Sequence, residues 1–316
     1  MSLSINTNTA NMVALESLNA TTTALNSTEN TVSTGQKVSS SKDGPATYAI
    51  AQQMNGNISG LSAVSDGLSF AASTISTTSA AVGNIISTLH LLQAAVTTLG
   101  DNQGDPTALV QTSEEINGYI DQINTFARNA TVNGVNLLTT ANDSNMANVG
   151  SSTGPVTADS LIYVTSLQGS TKTIGNAVGA GTSTLTDVLK LSTGMSAGGD
   201  LAVSSASGSN VFYNGTGLGT TGSASISSLI TIVQSAITTM TNTASTLGTQ
   251  GKIVDGMSAY STNLSDSLTT GVGALTDADM AAESAKLTSL QTKQQLAISS
   301  LSVAKSSSQN ILSLFR

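Results

Sequence analysis

The chain has 316 residues and a formal net charge of -8, and only 9% of its residues are charged, against about 25% in an ordinary soluble domain. Its 49 Ser and 46 Thr place hydroxyls on 95 residues, while aromatics number nine and Trp and Cys are absent. Without cysteine there is no disulfide framework, thiol nucleophile or thiolate zinc site, and ten scattered basic residues do not supply the clusters that nucleic-acid phosphates require.

No run of about 18 consecutive apolar residues marks a membrane span. The opening Met1 to Ala10 lacks a basic segment followed by an apolar one. These features predict either a cytoplasmic protein or export by a route that leaves the N-terminus uncleaved.

In chain order, the first helical pattern runs through Leu15, Leu18, Thr22, Leu25, Glu29 and Val32 and stops at Gly35. A stronger one follows. Steps of three and four connect Leu61, Val64, Leu68, Ala71, Ile75, Thr78, Val82, Ile85, Leu89, Leu92, Val96 and Leu99, with a single polar lapse. Such a stripe lies on one side of a helix of about 58 Å and requires partner helices. Gly100 ends it, and Asp105-Pro106 reads as an N-cap with proline at the first helical position. The next stripe is Leu109, Ser113, Ile116, Ile120, Ile123 and Ala127, closed by the turn dipeptide Asn133-Gly134. The short connection predicts an antiparallel helical hairpin.

Between residues 140 and 225 the periodicity fails and 14 of the 29 glycines accumulate. Candidate strands are Ser160–Leu167, Leu201–Ser205 and Asn210–Tyr213, so the segment reads as a small insert of strands and loops. Helical spacing returns with Ile226, Ile230, Val233, Ile237, Met240, Ala244, Leu247, Gly251 and Val254 and continues towards Leu268. A break is expected at Gly271–Gly273, followed by a helix start at Thr276-Asp277-Ala278-Asp279 with acids in its first turn. The last stripe is Leu287, Leu290, Gln294, Ala297, Leu301, Ala304, Ser308, Ile311 and Phe315. The fold class is therefore mainly α: a long antiparallel helical rod or coiled-coil bundle formed by the N- and C-terminal regions, with a small β- and loop-rich central insert. Because the terminal helices carry an apolar stripe with too few partners in one chain, they are expected to be disordered in the monomer and ordered by self-association.

Several blocks, in order along the chain, resemble the bacterial flagellins, in an alphaproteobacterial-like form. Ile5-Asn6-Thr7-Asn8 is similar to the family's opening, and Ser33-Thr34-Gly35 and Val38-Ser39-Ser40-Ser41-Lys42-Asp43 follow its pattern. Thr131-Val132-Asn133-Gly134-Val135-Asn136-Leu137-Leu138 matches its Asn-Gly-Val-x-Leu-Leu element. The C-terminal match runs from Ala274 to Leu287, through Gln291 and Gln294-Gln295-Leu296, to Ile311-Leu312-Ser313-Leu314-Phe315-Arg316. Lys42-Asp43-Gly44-Pro45 replaces the commoner Asp-Asp-Ala-Ala-Gly. Ile86 to Val96 carries neither Arg nor Glu where many flagellins have an Arg-x-x-Arg-Glu-Leu stretch read by innate immune receptors.

The resemblance implies a structural subunit that self-assembles into the extracellular flagellar filament for motility and leaves the cell through the flagellar type III apparatus. It implies terminal helices (1–40 and 277–316) in the filament core, a helical rod (41–139 and 226–276), and a surface-exposed variable insert (140–225). Assembly is then expected to rest on Leu15, Leu18, Leu25, Val32, Leu287, Leu290, Leu301, Ile311 and Phe315. Rod packing is expected of Leu61, Leu68, Ile75, Val82, Leu89, Val96, Ile116, Ile123, Ile230, Ile237 and Leu247. The implied partners are further copies of the chain, an export chaperone, and hook-junction and cap proteins, with neither nucleic acid nor membrane. Alternatives are a hook–filament junction protein sharing these helices, or an adhesin or binding module acting through the insert.

No enzyme, cofactor or metal is expected. His90 flanks the Leu89–Leu92 stripe without a nucleophile elbow or partner acid. Glu114-Glu115 and Asp277/Asp279 read as first-turn helix acids. Gly215-x-Gly217-x-Gly219 lacks the Lys-Ser/Thr and strand of a phosphate loop, and the eight dispersed methionines read as core filler.

Overall fold

The computed structural model describes residues 9–102, 105–139, 160–176, 185, 189, 191 and 226–313. Its elements are α1 (Thr9–Thr34), α2 (Pro45–Asp101), α3 (Pro106–Asn129), β1 (Thr131–Val132), β2 (Val135–Asn136), β3 (Leu161–Val164), β4 (Thr171–Ile174), α4 (Ile226–Thr276) and α5 (Met280–Ser313). The opening Ile5 to Asn8, the candidate strands Leu201–Ser205 and Asn210–Tyr213, and Phe315 lie outside the described residues. The chain divides into two compact units, one of residues Gly60–Asn263 and one of Met1–Ser59 with Leu264–Arg316. The boundary falls inside α2 and α4.

In the Gly60–Asn263 unit, all twelve positions of the α2 stripe from Leu61 to Leu99 are buried. Val64 and the apolar positions from Leu68 to Leu99 meet Leu109, Ile116, Ile120, Ile123 and Ala127 of α3 and Leu229, Val233, Ala236, Met240, Leu247 and Val254 of α4 in one apolar core. Helices α2 and α4 run antiparallel: Ser261 Oγ lies 3.4 Å from the Leu61 carbonyl, Gly251 faces Ile75, and Gly100 faces Ile226. The α4 stripe turns slightly from the expected line, so Leu229 and Ala236 are buried while Ile230 and Ile237 pack half-buried on the flank. Supercoiling about two partner helices selects that face, which spacing within one helix leaves open.

By length and composition α2 is apolar enough to cross a bilayer, with an 18-residue window of mean hydropathy 1.3. Its large apolar residues from Leu68 to Leu99 are instead consumed by the protein core. The polar lapse in its stripe is explained locally. Thr78 is fully buried, and its hydroxyl donates to the Thr74 carbonyl at 2.8 Å; Thr74, Thr88 and Thr112 likewise donate to the carbonyls four residues back. A threonine so satisfied enters a helical core without leaving an orphaned hydroxyl.

Helix α3 begins where Asp105 Oδ1 accepts the N–H groups of Thr107 and Ala108, with Pro106 beside the cap. It ends in the β1–β2 hairpin, whose turn residues Asn133 and Gly134 have φ of 49° and 84°. Positive φ at both positions defines a type I′ turn and explains the Asn-Gly dipeptide.

The expected strand Ser160–Leu167 is observed as β3 over Leu161–Val164, paired antiparallel with β4. Alternation sends Leu161 and Tyr163 inward and leaves Ile162 and Val164 exposed. Leu161, Tyr163, Ile174, Leu185, Leu189 and Leu191 all join the helical core. Described parts of the 140–225 segment thus build the unit's interior.

In the other unit, α1 ends at Gly35, which has φ of 72°. The expected break at Gly271–Gly273 does not occur, because α4 continues to Thr276. A glycine costs only about 1 kcal/mol inside a helix, too little to stop a helix of 51 residues. The actual break is Asp277–Asp279, where Asp279 Oδ1 caps α5 by accepting the N–H groups of Ala281 and Ala282.

Candidate self-assembly surface

Helices α1 and α5 pack against each other and run antiparallel. At one end the Gly35 carbonyl accepts the Ala278 N–H at 2.9 Å. Farther along, Ala14, Ser17 and Thr21 line one groove with Lys293, Leu296, Ala297 and Ser300. The seam on α1 repeats at Asn11, Ala14, Leu18, Thr21, Leu25, Thr28 and Val32, and on α5 at Leu287, Leu290, Gln294, Ala297, Leu301 and Ala304. Both follow three-four spacing. From Leu287 to Ala304 the α5 seam coincides with the stripe expected from sequence, whose Ser308, Ile311 and Phe315 side chains lie outside the described residues; the α1 seam shares Leu18, Leu25 and Val32 with the expected line but passes through Ala14, Thr21 and Thr28 in place of Leu15, Thr22 and Glu29. Small residues at Ala14 and Ala297 allow a close approach that a leucine at the contact would prevent.

The seam is shallow. Leu25 and Thr28 are buried on α1, whereas no described residue of α5 is, and Leu18, Val32, Leu287, Leu290 and Leu301 are half-buried. Leu15 is 49% exposed. Ile311 falls in α5, but its side chain, like Phe315, is outside the described residues. Beyond the seam, α1 exposes Met12 and Val13, and α5 exposes Leu296, Ile298 and Val303. These five lie off the heptad line, and their signal in the sequence is being apolar where the helix should face water.

The link between the helices is held by backbone and short polar side chains. The Thr276 carbonyl accepts the Lys37 N–H at 2.7 Å, and Lys37 Nζ donates to the Ala274 carbonyl. In the loop before α2, Asp43 Oδ2 accepts the N–H and hydroxyl of both Ser39 and Ser40. Hydrogen bonds from Ser40 above all hold the Asp43 carboxyl below its ordinary pKa. The structure gives the acid of this Lys42-Asp43-Gly44-Pro45 segment a turn-stabilising part.

His90 is exposed on α2, Glu115 accepts the Tyr119 hydroxyl at 2.7 Å, and Asp279 is the α5 cap. Among the described residues, no group of three or more His, Cys, Asp or Glu side chains could hold a metal ion.

Residues 5–143 match the bacterial flagellin N-terminal helical region, and residues 230–315 match the bacterial flagellin C-terminal helical region. The chain belongs to the bacterial flagellin family. It is 33% identical to the flagellin FljO of Caulobacter vibrioides over 99% of this chain and 98% of that protein. It is 31% identical to a flagellin of Brucella melitensis over 99% of both chains. Identity to flagellin A of Rhizobium meliloti reaches 52%, over 30% of this chain and 24% of that protein. The family member is a structural subunit of the extracellular flagellar filament, exported by the flagellar system and serving motility.

Proposed function

We propose that the α1–α5 pair is the surface through which this chain polymerises, with Leu15, Leu18, Leu25, Val32, Leu287, Leu290, Leu301, Ile311 and Phe315 gaining burial between subunits. One observation carries this reading: in the unit containing these helices, the buried apolar residues among those described are Leu25, Val38 and Ala51. Each large apolar side chain is worth about 1.5–3 kcal/mol when buried, and two such residues with one alanine do not offset the ordering of two long helices. Further copies of the chain supply the missing cover. The residues of the α2–α3–α4 core, Leu61, Leu68, Ile75, Val82, Leu89, Val96, Ile116, Ile123, Ile230, Ile237 and Leu247, hold the subunit together so that its outer helix faces pack laterally.

In this reading the 1–40 and 277–316 segments form the filament core and 41–139 with 226–276 the rod around it. Parts of 140–225 project outward, while Leu161, Tyr163 and Ile174 anchor them. The chain performs no catalysis. Its helical termini are also what an export chaperone, hook-junction proteins and a cap protein would engage before and during assembly.

The test is Leu301→Asp, together with truncation after Leu296, followed by sedimentation and electron microscopy. The expected result is a chain with its α2–α3–α4 core folded that forms no filaments. Filaments of ordinary stability from either variant would overturn the reading. Far-UV circular dichroism supplies a second check: helicity is expected to rise on assembly, and equal helicity in subunit and polymer would count against ordering of the termini.

A further inference from the structure

The chain carries four Asn-Gly dipeptides, beginning at Asn55, Asn117, Asn133 and Asn214. In this pair the glycine nitrogen reaches the asparagine side-chain carbonyl with least hindrance, because glycine has no Cβ and rotates freely. The three described pairs have unlike surroundings. Asn55-Gly56 lies inside α2 and Asn117-Gly118 inside α3. The Asn55 carbonyl, which shares a peptide plane with the Gly56 nitrogen, also accepts the Ser59 hydroxyl at 3.0 Å, and Asn117 is half-buried. Asn133-Gly134 instead forms the tip of the β1–β2 hairpin, with Asn133 exposed and both residues at positive φ. Asn214-Gly215 lies outside the described residues.

Bond formation between the glycine nitrogen and the asparagine Cγ requires their shared peptide plane to swing about the asparagine Cα–C bond. Inside a helix that swing breaks backbone hydrogen bonds on both sides of the pair, in ladders of 57 residues for α2 and 24 for α3. At the hairpin tip it disturbs only the Val132–Val135 pair, at the end of two-residue strands. So short a ladder is marginal by itself, and such tips open at the smallest free-energy cost. The left-handed conformation of Asn133 is also one that a residue with a Cβ leaves at a gain. We infer that Asn133 is a site of spontaneous deamidation in the folded chain, while the helices around Asn55 and Asn117 hold those residues against the same reaction.

The reaction takes water as its single co-reactant. The Gly134 nitrogen gives up its proton and bonds to Asn133 Cγ. The Cγ–Nδ2 bond then breaks, the side-chain nitrogen leaves as ammonia with that proton, and a succinimide remains. Water opens the ring at either of two carbons. Attack at Cγ breaks the bond just formed and leaves aspartate in an unaltered main chain. Attack at the main-chain carbonyl carbon breaks the original peptide bond to Gly134, so the chain continues through Cβ and Cγ as isoaspartate. Both products place a new negative charge on the exposed tip. They differ in their effect on the hairpin: Asp-Gly suits a type I′ turn as Asn-Gly does, whereas isoaspartate lengthens the loop by a backbone carbon and removes the geometry that sets the register.

Peptide mapping by mass spectrometry tests this on the full-length subunit, incubated at mildly alkaline pH with and without denaturing urea. In urea the three pairs are expected to convert at comparable rates. In the folded chain Asn133 is expected to convert at least about tenfold faster than Asn55 and Asn117, a ratio equivalent to about 1.4 kcal/mol of added opening cost in the helices. Equal rates at the three sites in the folded chain, or retention of Asn133 for as long as Asn55 and Asn117, overturn the assignment. Asn214 falls on a separate peptide and stays out of the comparison. The effect on the hairpin is read by hydrogen exchange at Val135, the residue paired with Val132. Asn133→Asp is expected to keep the protection of the unmodified chain, and the isoaspartyl form, separated by chromatography, to lose it. Equal protection in the two would refute the turn's discrimination between the products.

Discussion

The side-chain amide of Asn136 donates to the Ala127 carbonyl at 2.8 Å, reaching back across the hairpin turn to the last turn of α3. The same fully buried residue donates to Arg128 O and Thr131 Oγ1, while its Oδ1 accepts the N–H groups of Leu138 and Thr139. One side chain thus satisfies the end of a helix, a hairpin and the strand exit together. Asn136→Leu takes the acceptor from the Leu138 and Thr139 N–H groups, while the Ala127 and Arg128 carbonyls keep the Ala130 N–H and the Thr131 hydroxyl, at about 1–3 kcal/mol for each group left unsatisfied. We expect a loss of about 2 kcal/mol or more in denaturant unfolding; an unchanged midpoint would show that the network does not stabilise the fold.

Leu89 and Leu15 should respond oppositely in two assays. Leu89 is fully buried in the helical core, so Leu89→Ala should cost about 2–5 kcal/mol of subunit stability through lost burial and the cavity left behind. Leu15 is 49% exposed, so Leu15→Ala should change subunit stability by less than about 0.5 kcal/mol and weaken polymerisation. Thermal melts of the subunit and pelleting assays of the polymer read the two effects separately.

Gly35 combines φ of 72° with a carbonyl that receives the Ala278 N–H. A Cβ there meets no atom within 4 Å, so the penalty of substitution is conformational. Gly35→Ala should cost about 1–2 kcal/mol, and Gly35→Asn less, because asparagine tolerates the left-handed region better. Hydrogen exchange at Ala278 is the readout; equal protection in both variants would contradict the assignment.

Asp43 sets a pH expectation. Its pKa is lowered in the folded chain by hydrogen bonds from Ser40 and Ser39. The stabilisation is therefore present above the ordinary carboxylate pKa, about 3.9, and is lost as pH falls through the lower folded value. An NMR titration should place the Asp43 midpoint below the ordinary carboxylate value. Ser40→Ala should move it upward, and an unmoved midpoint would remove Ser40 as the cause.

The helical architecture was legible because spacing alone encodes it. The stripes from Leu61 to Leu99 and from Leu109 to Ala127 are buried at every position, since an apolar residue every three or four positions leaves a helix one face to hide. Asp105-Pro106 and Asn133-Gly134 were equally readable, because each dipeptide has few backbone conformations open to it. The Gly271–Gly273 signal misled because length and packing outweigh the small helix penalty of glycine. Tertiary structure alone decided that Ala14 takes the seam and Leu15 the surface, that Leu229 and Ala236 are buried ahead of Ile230 and Ile237, and that Tyr163 belongs to the helical core. Those choices depend on how near a second helix comes and from which side, and that distance is set by residues hundreds of positions away in the chain.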